Sequence, residues 1–336
     1  MKIDKHDISI TTYKPKLHNA LLSFMISQYE NRSSEYLDWW LTNLDKESEQ
    51  LWNTAFIAYY KDEIIGCYTS NPISININGK EVTMFYGGNA IVNPKFRGYG
   101  IGKRIYAEVF KHNNRISIGL TAASYAIQTR KFNGCFPIHD IRVYVSANIY
   151  SLRSIINKFT NKTQKVLFPD NINISGCVFS KVKNVEELDS FPANGIWLND
   201  FVELKRDKEW LRNRFVDIYR KDYFIYTIHK NDELSGYAVF RKGKMYGVEF
   251  VSIVDFRCKD ITLEKTVTKA ANVIAKKNKI GFTFCMSSRL HSTIRLAPFT
   301  IRLRKKIKNV TVVEKIKDER VLFTSADSNL DFVYYE

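Results

Sequence analysis

The chain has 336 residues, 45% of them hydrophobic and 26% charged, a balance that suits two folded domains and excludes disordered and collagen-like classes. Its 51 Lys and Arg against 35 Asp and Glu give a formal charge of +16, which favours nucleic acid, a phosphate-rich co-substrate or an anionic surface as partner. Ile8 and Ile10 fall in a short strand pattern. Leu17, Leu21, Phe24 and Met25 share one face of a first helix, and Leu37, Trp40 and Leu41 one face of a second over 35–45. Residues 54–60 and 63–70 read as a hairpin about Lys61 and Asp62. Ile73, Ile75 and Ile77 alternate with polar residues, Asn78-Gly79 is a hairpin-turn signal, and a long return strand covers 81–92. After a Gly-rich stretch, Ile101, Ile105 and Val109 mark a helix, followed by a strand at 116–120, a helix at 124–132 and a strand at 141–145.

The polar stretch 161–184 reads as irregular and carries the boundary between two domains, 1–165 and 166–336. Beyond it come a helix at 208–219, a hairpin of 224–229 with 234–241, and a strand at 246–256. A helix then follows on Leu263, Val267, Ala270 and Ile274, with strands to the end. Residues 56–66 and 224–236 share a pattern of Phe-Ile strand, acidic turn and strand ending in Gly. That similarity is either two unrelated hairpins or a duplicated αββ unit.

Cys67, Cys135, Cys177, Cys258 and Cys285 are odd in number and form no Cys-x-x-Cys pair, which points to reduced thiols rather than disulfides or a metal site. The N-terminal stretch lacks the apolar segment of a secretory signal, and no apolar run approaches the ~20 residues of a membrane helix. The expectation is a cytoplasmic protein without a membrane or metal partner.

Arg97-Gly98-Tyr99-Gly100-Ile101-Gly102 is the sharpest motif. It follows a long strand and opens an amphipathic helix. Alternating Gly residues let the backbone reach positive φ and approach a ligand closely. Their N–H groups, at a helix N-terminus, suit a pyrophosphate, with Arg97, Lys103 and Arg104 adding charge at the rim. A Gly-rich turn without a ligand gives the same local sequence. A dinucleotide-binding fingerprint needs Gly-x-Gly-x-x-Gly after the first strand of a βαβ unit, and a P-loop needs Gly-Lys-Ser/Thr; neither is met.

With the run Ala90-Ile91-Val92-Asn93-Pro94 before it, the Arg97, Gly100, Gly102 pattern resembles the acyl-CoA-binding motif of the GNAT (Gcn5-related N-acetyltransferase) superfamily, over roughly residues 5–160. The resemblance implies an α/β mixed-sheet GNAT fold. It implies that Ile91 and Val92 bind pantetheine while Arg97, Gly98, Tyr99, Gly100, Ile101, Gly102 and Lys103 cradle pyrophosphate. The co-substrate would be acetyl-CoA or another short acyl-CoA. Residues 210–215, 223–240, 253–256 and 327–331 resemble the C-terminal half of tandem-GNAT acyltransferases, some of which acylate nucleotide-linked amino sugars in surface polysaccharide biosynthesis. Residues 255–260 stand where a second Gly loop would be, so a degenerate GNAT-like second domain completing the acceptor site, and one CoA site, are expected.

Two family features are missing. The stretch 84–89 has no Glu to act as base, and Arg130 stands where the family places a thiolate-protonating Tyr before Gly134-Cys135-Phe136. A sugar amine of lowered pKa needs less help, since proximity and a polarised carbonyl supply much of the acceleration; a strand N–H at 91–92 is the expected oxyanion donor. Asn89, Tyr86 and His139 are the candidates for orienting the amine, although a bulge Asn and a satisfied strand His are the better accounts of two of them. Asn89, Arg214 and Asp331 are candidate acceptor contacts. Arg302, Arg304, Lys305, Lys306 and Lys308 make a basic tract, read as a solvated strand edge or a phosphate- or RNA-binding surface. No RNA-binding signature accompanies it, which argues against a nucleic-acid partner. Two alternatives stay open: an N-acyltransferase for a peptide, tRNA-linked or antibiotic amine, and a non-catalytic acyl-CoA- or RNA-binding module.

Overall fold

Most helices and strands follow one another in the order that the apolar periodicities suggest. A computed structural model describes residues 5–30, 32–77, 79–112, 114–132, 134–159, 165–192, 195, 197, 201–217, 222–288, 300–311, 316 and 321–328. In chain order these form β1 (Ile8–Thr12), α1 (His18–Gln28), α2 (Ser34–Asp45), α3 (Glu49–Trp52), β2 (Phe56–Tyr60), β3 (Glu63–Ile77), β4 (Lys80–Val92), α4 (Ile101–Val109), β5 (Arg115–Leu120), α5 (Ala122–Lys131), β6 (Phe136–Ala147) and α6 (Ser151–Phe159). Then come β7 (Asn171–Ile174), β8 (Cys177–Lys181), β9 (Val202–Leu204), α7 (Lys208–Leu211), β10 (Tyr223–Lys230), β11 (Glu233–Met245), β12 (Val248–Cys258), α8 (Glu264–Lys277), β13 (Phe282–Ser287), β14 (Thr300–Thr311) and β15 (Val321–Leu322). This is a mixed α/β architecture.

The chain divides into two compact units: 1–75 with 81–139 and 307–319, and 76–80 with 140–306 and 320–336. The expected cut at 165/166 therefore lies inside the second unit. In the first unit the sheet order is β1-β2-β3-β4-β5-β14. α4 packs Ile101, Ile105, Tyr106 and Val109 against Phe56, Ala58, Ile65 and Tyr68 of β2 and β3. In the second, the order is β6-β13-β12-β11-β10-β8-β7, and α8 buries Val267, Ala270, Ala271 and Ile274 against Phe240, Val251 and Ile253.

Several elements differ from the sequence expectation. The patterns at 63–70 and 73–77 are one strand, because nothing interrupts the extended backbone and Pro72 is compatible with it. The stretch 161–184 is not wholly irregular. Ser175 and Gly176, at φ 51° and 76°, make a tight turn between β7 and β8, and Ile172, Ile174, Cys177 and Phe179 alternate inward. The helix expected over 208–219 is α-helical for four residues and then widens to π geometry over Arg212–Val216. α6 was not expected; Leu152, Ile155, Ile156 and Phe159 are exposed on it.

α1 and α2 are clamped by His18, whose Nδ1 lies 2.6 Å from Asp45 Oδ2 and whose Nε2 lies 2.9 Å from Asp38 Oδ1. Tyr13 Oη also donates to Asp45. Burial lowers the imidazole pKa, and the two carboxylates more than reverse it, for a net rise. A raised folded-state pKa contributes stability that is complete below the unfolded value of ~6.5 and lost as pH rises through the folded value. The melting-temperature difference between the wild type and His18→Gln is therefore expected to be larger at pH 6 than at pH 8.5. Equal differences at both pH values would remove the charged clamp.

Candidate functional site

β4 carries the site, and two adjacent glycines decide how it is lined. A Cβ on Gly87 would lie 2.0 Å from Tyr68 Oη, and one on Gly88 2.9 Å from a Trp40 ring carbon. Tyr68 and Trp40 thus press on opposite faces of one strand, and only residues without side chains admit both. Trp40 is fixed by its Nε1–H, which donates to Thr69 Oγ1 at 2.9 Å, and meets Tyr86 edge-on at 5.8 Å.

Directly after the glycines, Asn89 takes φ 50°, a left-handed conformation that Asn tolerates better than most residues. Parallel pairing of β4 with β5 covers Phe85↔Arg115, Tyr86↔Ile116 and Gly87↔Ser117. β4 runs on to Val92 and β5 to Leu120, with no registered pair beyond Gly87 among the described residues. The strand is therefore kinked at the point where its pairing ends. Asn89 is 4% exposed, and both amide atoms are buried without a hydrogen-bond partner. Each such group costs ~1–3 kcal/mol if left unsatisfied. A polar ligand entering beside β4 would meet a ready donor and acceptor. Cys67 Sγ–H donates to the Asn89 carbonyl at 3.5 Å, and burial pushes the Cys67 thiol up to about 12, so it is a neutral donor and not a nucleophile.

The loop after β4 has the geometry its glycines suggested. Gly98 and Gly100 sit at φ 89° and 80°, with open space where a Cβ would be. Gly100 is the N-cap of α4, which has no side-chain cap and no acid in its first turn. The first N–H groups of α4 thus lack an internal partner and favour an anion. Arg97 Nε–H donates to the Val92 carbonyl at 3.2 Å and holds the loop to its strand. Lys103 is exposed. Arg104 is committed elsewhere, donating to the Ile8 carbonyl at 2.8 Å. Uncapped donors and positive-φ glycines suit an anion at the loop, and the orphaned Asn89 amide suits a polar group beside the strand.

Tyr86 is buried and His139 half-buried, and the His139 carbonyl accepts from Asn309 Nδ2 at 2.5 Å. Glu81, the one acid of β4, is exposed next to the turn. Arg214 is buried in the second unit, 5.1 Å from the Phe215 ring and 5.7 Å from that of Tyr223. Asp331 and the side chains of Arg304, Lys305 and Lys306 lie outside the described residues. Arg302 is exposed, and Lys308 Nζ lies 5.4 Å from the Tyr125 ring centroid. The sequence reading missed Arg32. It sits in a polar connection between two helices, where no periodicity or motif marks it. A recess of about 600 Å³ in the second unit is lined by Asp189, Asp207, Lys208 and Arg212 among others; Lys208 is paired with Asp189 and Arg212 with Asp217.

Several local features of the first unit recur in the second. Pairing shifts between Ala58 and Tyr59 in one hairpin and between Ile228 and His229 in the other, each directly after a glycine's partner, Gly66 and Gly236. A Cβ on Gly66 would meet the Ile91 carbonyl, and one on Gly236 the Arg257 carbonyl. Asn93 N–H donates to Ile65 O and Lys259 N–H to Ser235 O. Parallel pairing ends at Gly87↔Ser117 in one and at Ile253↔Cys285 in the other. By this register Asp255 is the counterpart of Asn89. It is fully engaged: Arg206 Nε, Arg257 Nη1, Tyr237 Oη and Thr324 Oγ1 all donate to it at 2.7–3.0 Å.

Residues 17–133 match the family described as the acetyltransferase (GNAT) domain. No curated protein matches the sequence. Among solved structures, the chain is similar to a GCN5-related N-acetyltransferase from Anabaena variabilis, at TM-score 0.58 and 14% identity, covering 93% of this chain and 75% of that one. It is similar to a probable N-acyltransferase from Enterococcus faecalis, at TM-score 0.62 and 12% identity, covering 92% and 73%. Saccharomyces cerevisiae N-myristoyltransferase with bound myristoyl-CoA gives TM-score 0.53 at 12% identity, covering 85% and 74%. At such identities the likeness is one of fold.

Proposed function

We propose, from the GNAT acetyltransferase domain that residues 17–133 form, that the chain is an acyl-CoA-dependent N-acyltransferase whose acceptor is a primary amine, most specifically a nucleotide-linked amino sugar. The observation that carries this reading is the conjunction on one strand and loop: the orphaned Asn89 amide at the kink, then positive-φ Gly98 and Gly100 at the uncapped start of α4. Ile91 and Val92 would pair with pantetheine, and the N–H groups of 98–103 with Arg97 and Lys103 would hold the pyrophosphate.

The amine nitrogen attacks the thioester carbonyl; a C–N bond forms, the C–S bond breaks, and the ammonium proton leaves to water or the departing thiolate. A strand N–H beyond the kink would stabilise the oxyanion. Asn89 and Tyr86 would orient the amine without deprotonating it, and His139 is the remaining candidate for that role. The buried free thiols Cys67, Cys177, Cys258 and Cys285 support a reducing compartment such as the cytoplasm. A net charge of +16 suits two phosphate-bearing substrates.

The lack of a carboxylate at the kink favours one other reading, an acyl-CoA-binding module without turnover. Thiol release from acetyl-CoA, measured with free, phosphorylated and nucleotide-linked amino sugars and a peptide amine, separates the two. Turnover is expected with an amino sugar, its kcat/KM rising with pH through the amine's own pKa. CoA binding with no thiol release from any amine would establish the module instead.

A further inference from the structure

The connection between α1 and α2 holds a cation that has no acidic partner among the described residues. Arg32 is half-buried, with its guanidinium carbon 4.3 Å from the Tyr29 ring centroid and 5.6 Å from that of Tyr36. It also hydrogen-bonds the Tyr36 side chain. The rings of Tyr29 and Tyr36 flank it, and among the described residues no carboxylate forms an ion pair with it. Stacking on tyrosine faces holds a guanidinium in place and leaves its in-plane donors free for another group.

Arg32 also lies beside the kinked strand. Its charge reaches Tyr86 on β4 and the thiol of Cys67, whose sulfur touches the Asn89 carbonyl. A chain of rings links it to the same place: Tyr36 to Trp40 at 6.4 Å, and Trp40 to Tyr86 at 5.8 Å. Thr69 and Gly88 complete the link, since Thr69 accepts from Trp40 and donates to the Gly88 carbonyl. Tyr86, Gly88 and Trp40 share the face opposite that on which Tyr68 covers Gly87. A half-buried guanidinium without a carboxylate is the arrangement that binds a phosphate or carboxylate by paired hydrogen bonds.

We propose that Arg32, framed by Tyr29 and Tyr36, is the anion-recognising residue of the α1–α2 face of β4. It would bind a phosphate or carboxylate carried by the substrate near its reacting group. This deepens the transferase reading and rests on it. The anion belongs either to the acceptor, as in a sugar phosphate, or to the acyl group, as in a dicarboxylate half-thioester.

The test compares wild type, Arg32→Lys and Arg32→Gln in kcat/KM toward glucosamine 1-phosphate and glucosamine with acetyl-CoA, and toward acetyl-CoA and succinyl-CoA with one amine. A charged hydrogen-bonded pair is worth ~1.5–3 kcal/mol, so Arg32→Gln is expected to lose about tenfold or more in preference for the anionic member of one pair. Arg32→Lys should keep part of that preference. The pair that responds identifies the source of the anion. Equal losses on charged and neutral members of both pairs, or no loss on either, would overturn the proposal. Should wild type bind CoA without turning over any amine, the transferase reading fails separately. Calorimetric binding of glucosamine 1-phosphate and of succinate to the CoA-saturated protein, wild type against Arg32→Gln, then decides whether Arg32 holds an anion.

Discussion

Gly100→Glu is expected to weaken CoA binding by about 100-fold or more while the protein still folds. Two effects add. Gly100 sits at φ 80°, where an L-residue costs ~1–2 kcal/mol and pulls the loop toward another conformation. The new carboxylate would also stand at the uncapped start of α4, satisfying the N–H groups that a phosphate would otherwise use and repelling its charge. Folding should survive because nothing lies within 4 Å of the Cβ position. Gly100→Ala brings the strain without the charge, so affinities measured by calorimetry should fall in the order wild type, Gly100→Ala, Gly100→Glu. Raising the salt concentration should narrow the gap between the two variants and leave that between wild type and Gly100→Ala. Binding by Gly100→Glu within about threefold of wild type would mean that the loop is a turn and nothing more, since a like charge at a phosphate site cannot be nearly neutral.

The loop was legible in the sequence because its requirement is local. Gly at 98 and 100 reports positive φ whatever the tertiary context, and the apolar spacing of 101, 105 and 109 reports the helix that follows. The kink at Asn89 was legible only as the alternative of a bulge Asn within the long strand 81–92, and its chemistry was not: an orphaned amide is defined by neighbours from elsewhere in the chain. Gly87-Gly88 shows the same limit. Their meaning lies in Tyr68 and Trp40, 19 and 48 residues upstream, which no local pattern connects. Arg32 is the extreme case, because an Arg in a polar connection reads as solvated until Tyr29 of that connection and Tyr36 of α2 are seen to frame it. The hairpin at 171–181 was missed for a different reason. Its inward residues Ile172, Ile174, Cys177 and Phe179 are diluted by Asn and Ser on the exposed side, so the period-2 signal was outweighed by polarity.

The local correspondence between the two units leads to the other large effect, one of stability. Asn89 and Asp255 occupy the same step of the same strand in their units, with opposite consequences. Around Asp255 the second unit buries five ionised groups: Arg206, Arg257, Asp255, Asp327 and Glu203, all with fully buried side chains. Arg257 Nε donates to Glu203 Oε2 at 3.0 Å, and Glu203 Oε1 accepts from the Trp197 N–H at 2.7 Å. Arg206 also stacks on Trp210 at 3.6 Å. Burial pushes the Asp255 carboxyl up, and Arg206 and then Arg257 more than reverse it, holding it below the ordinary carboxylate range. A depressed carboxylate contributes stability above the unfolded value and loses it as pH falls through the folded one, so the contribution of Asp255 should be lost only below about pH 4. Asp255→Ala would leave two guanidinium groups facing each other in the core with one anchor removed. Breaking a buried ion cluster in this way costs ~3–5 kcal/mol, and the melting temperature is expected to fall by roughly 6–20 °C in calorimetry. Asp255→Asn keeps the shape and two acceptor sites and should fall between. Asn89→Ala removes an amide that has no internal partner, a gain offset by the strain of Ala at φ 50°, so its melting temperature should stay close to that of wild type. A drop for Asn89→Ala matching that of Asp255→Ala would show both positions to be structural, and the assignment of a ligand to the first unit's strand would lose its strongest support.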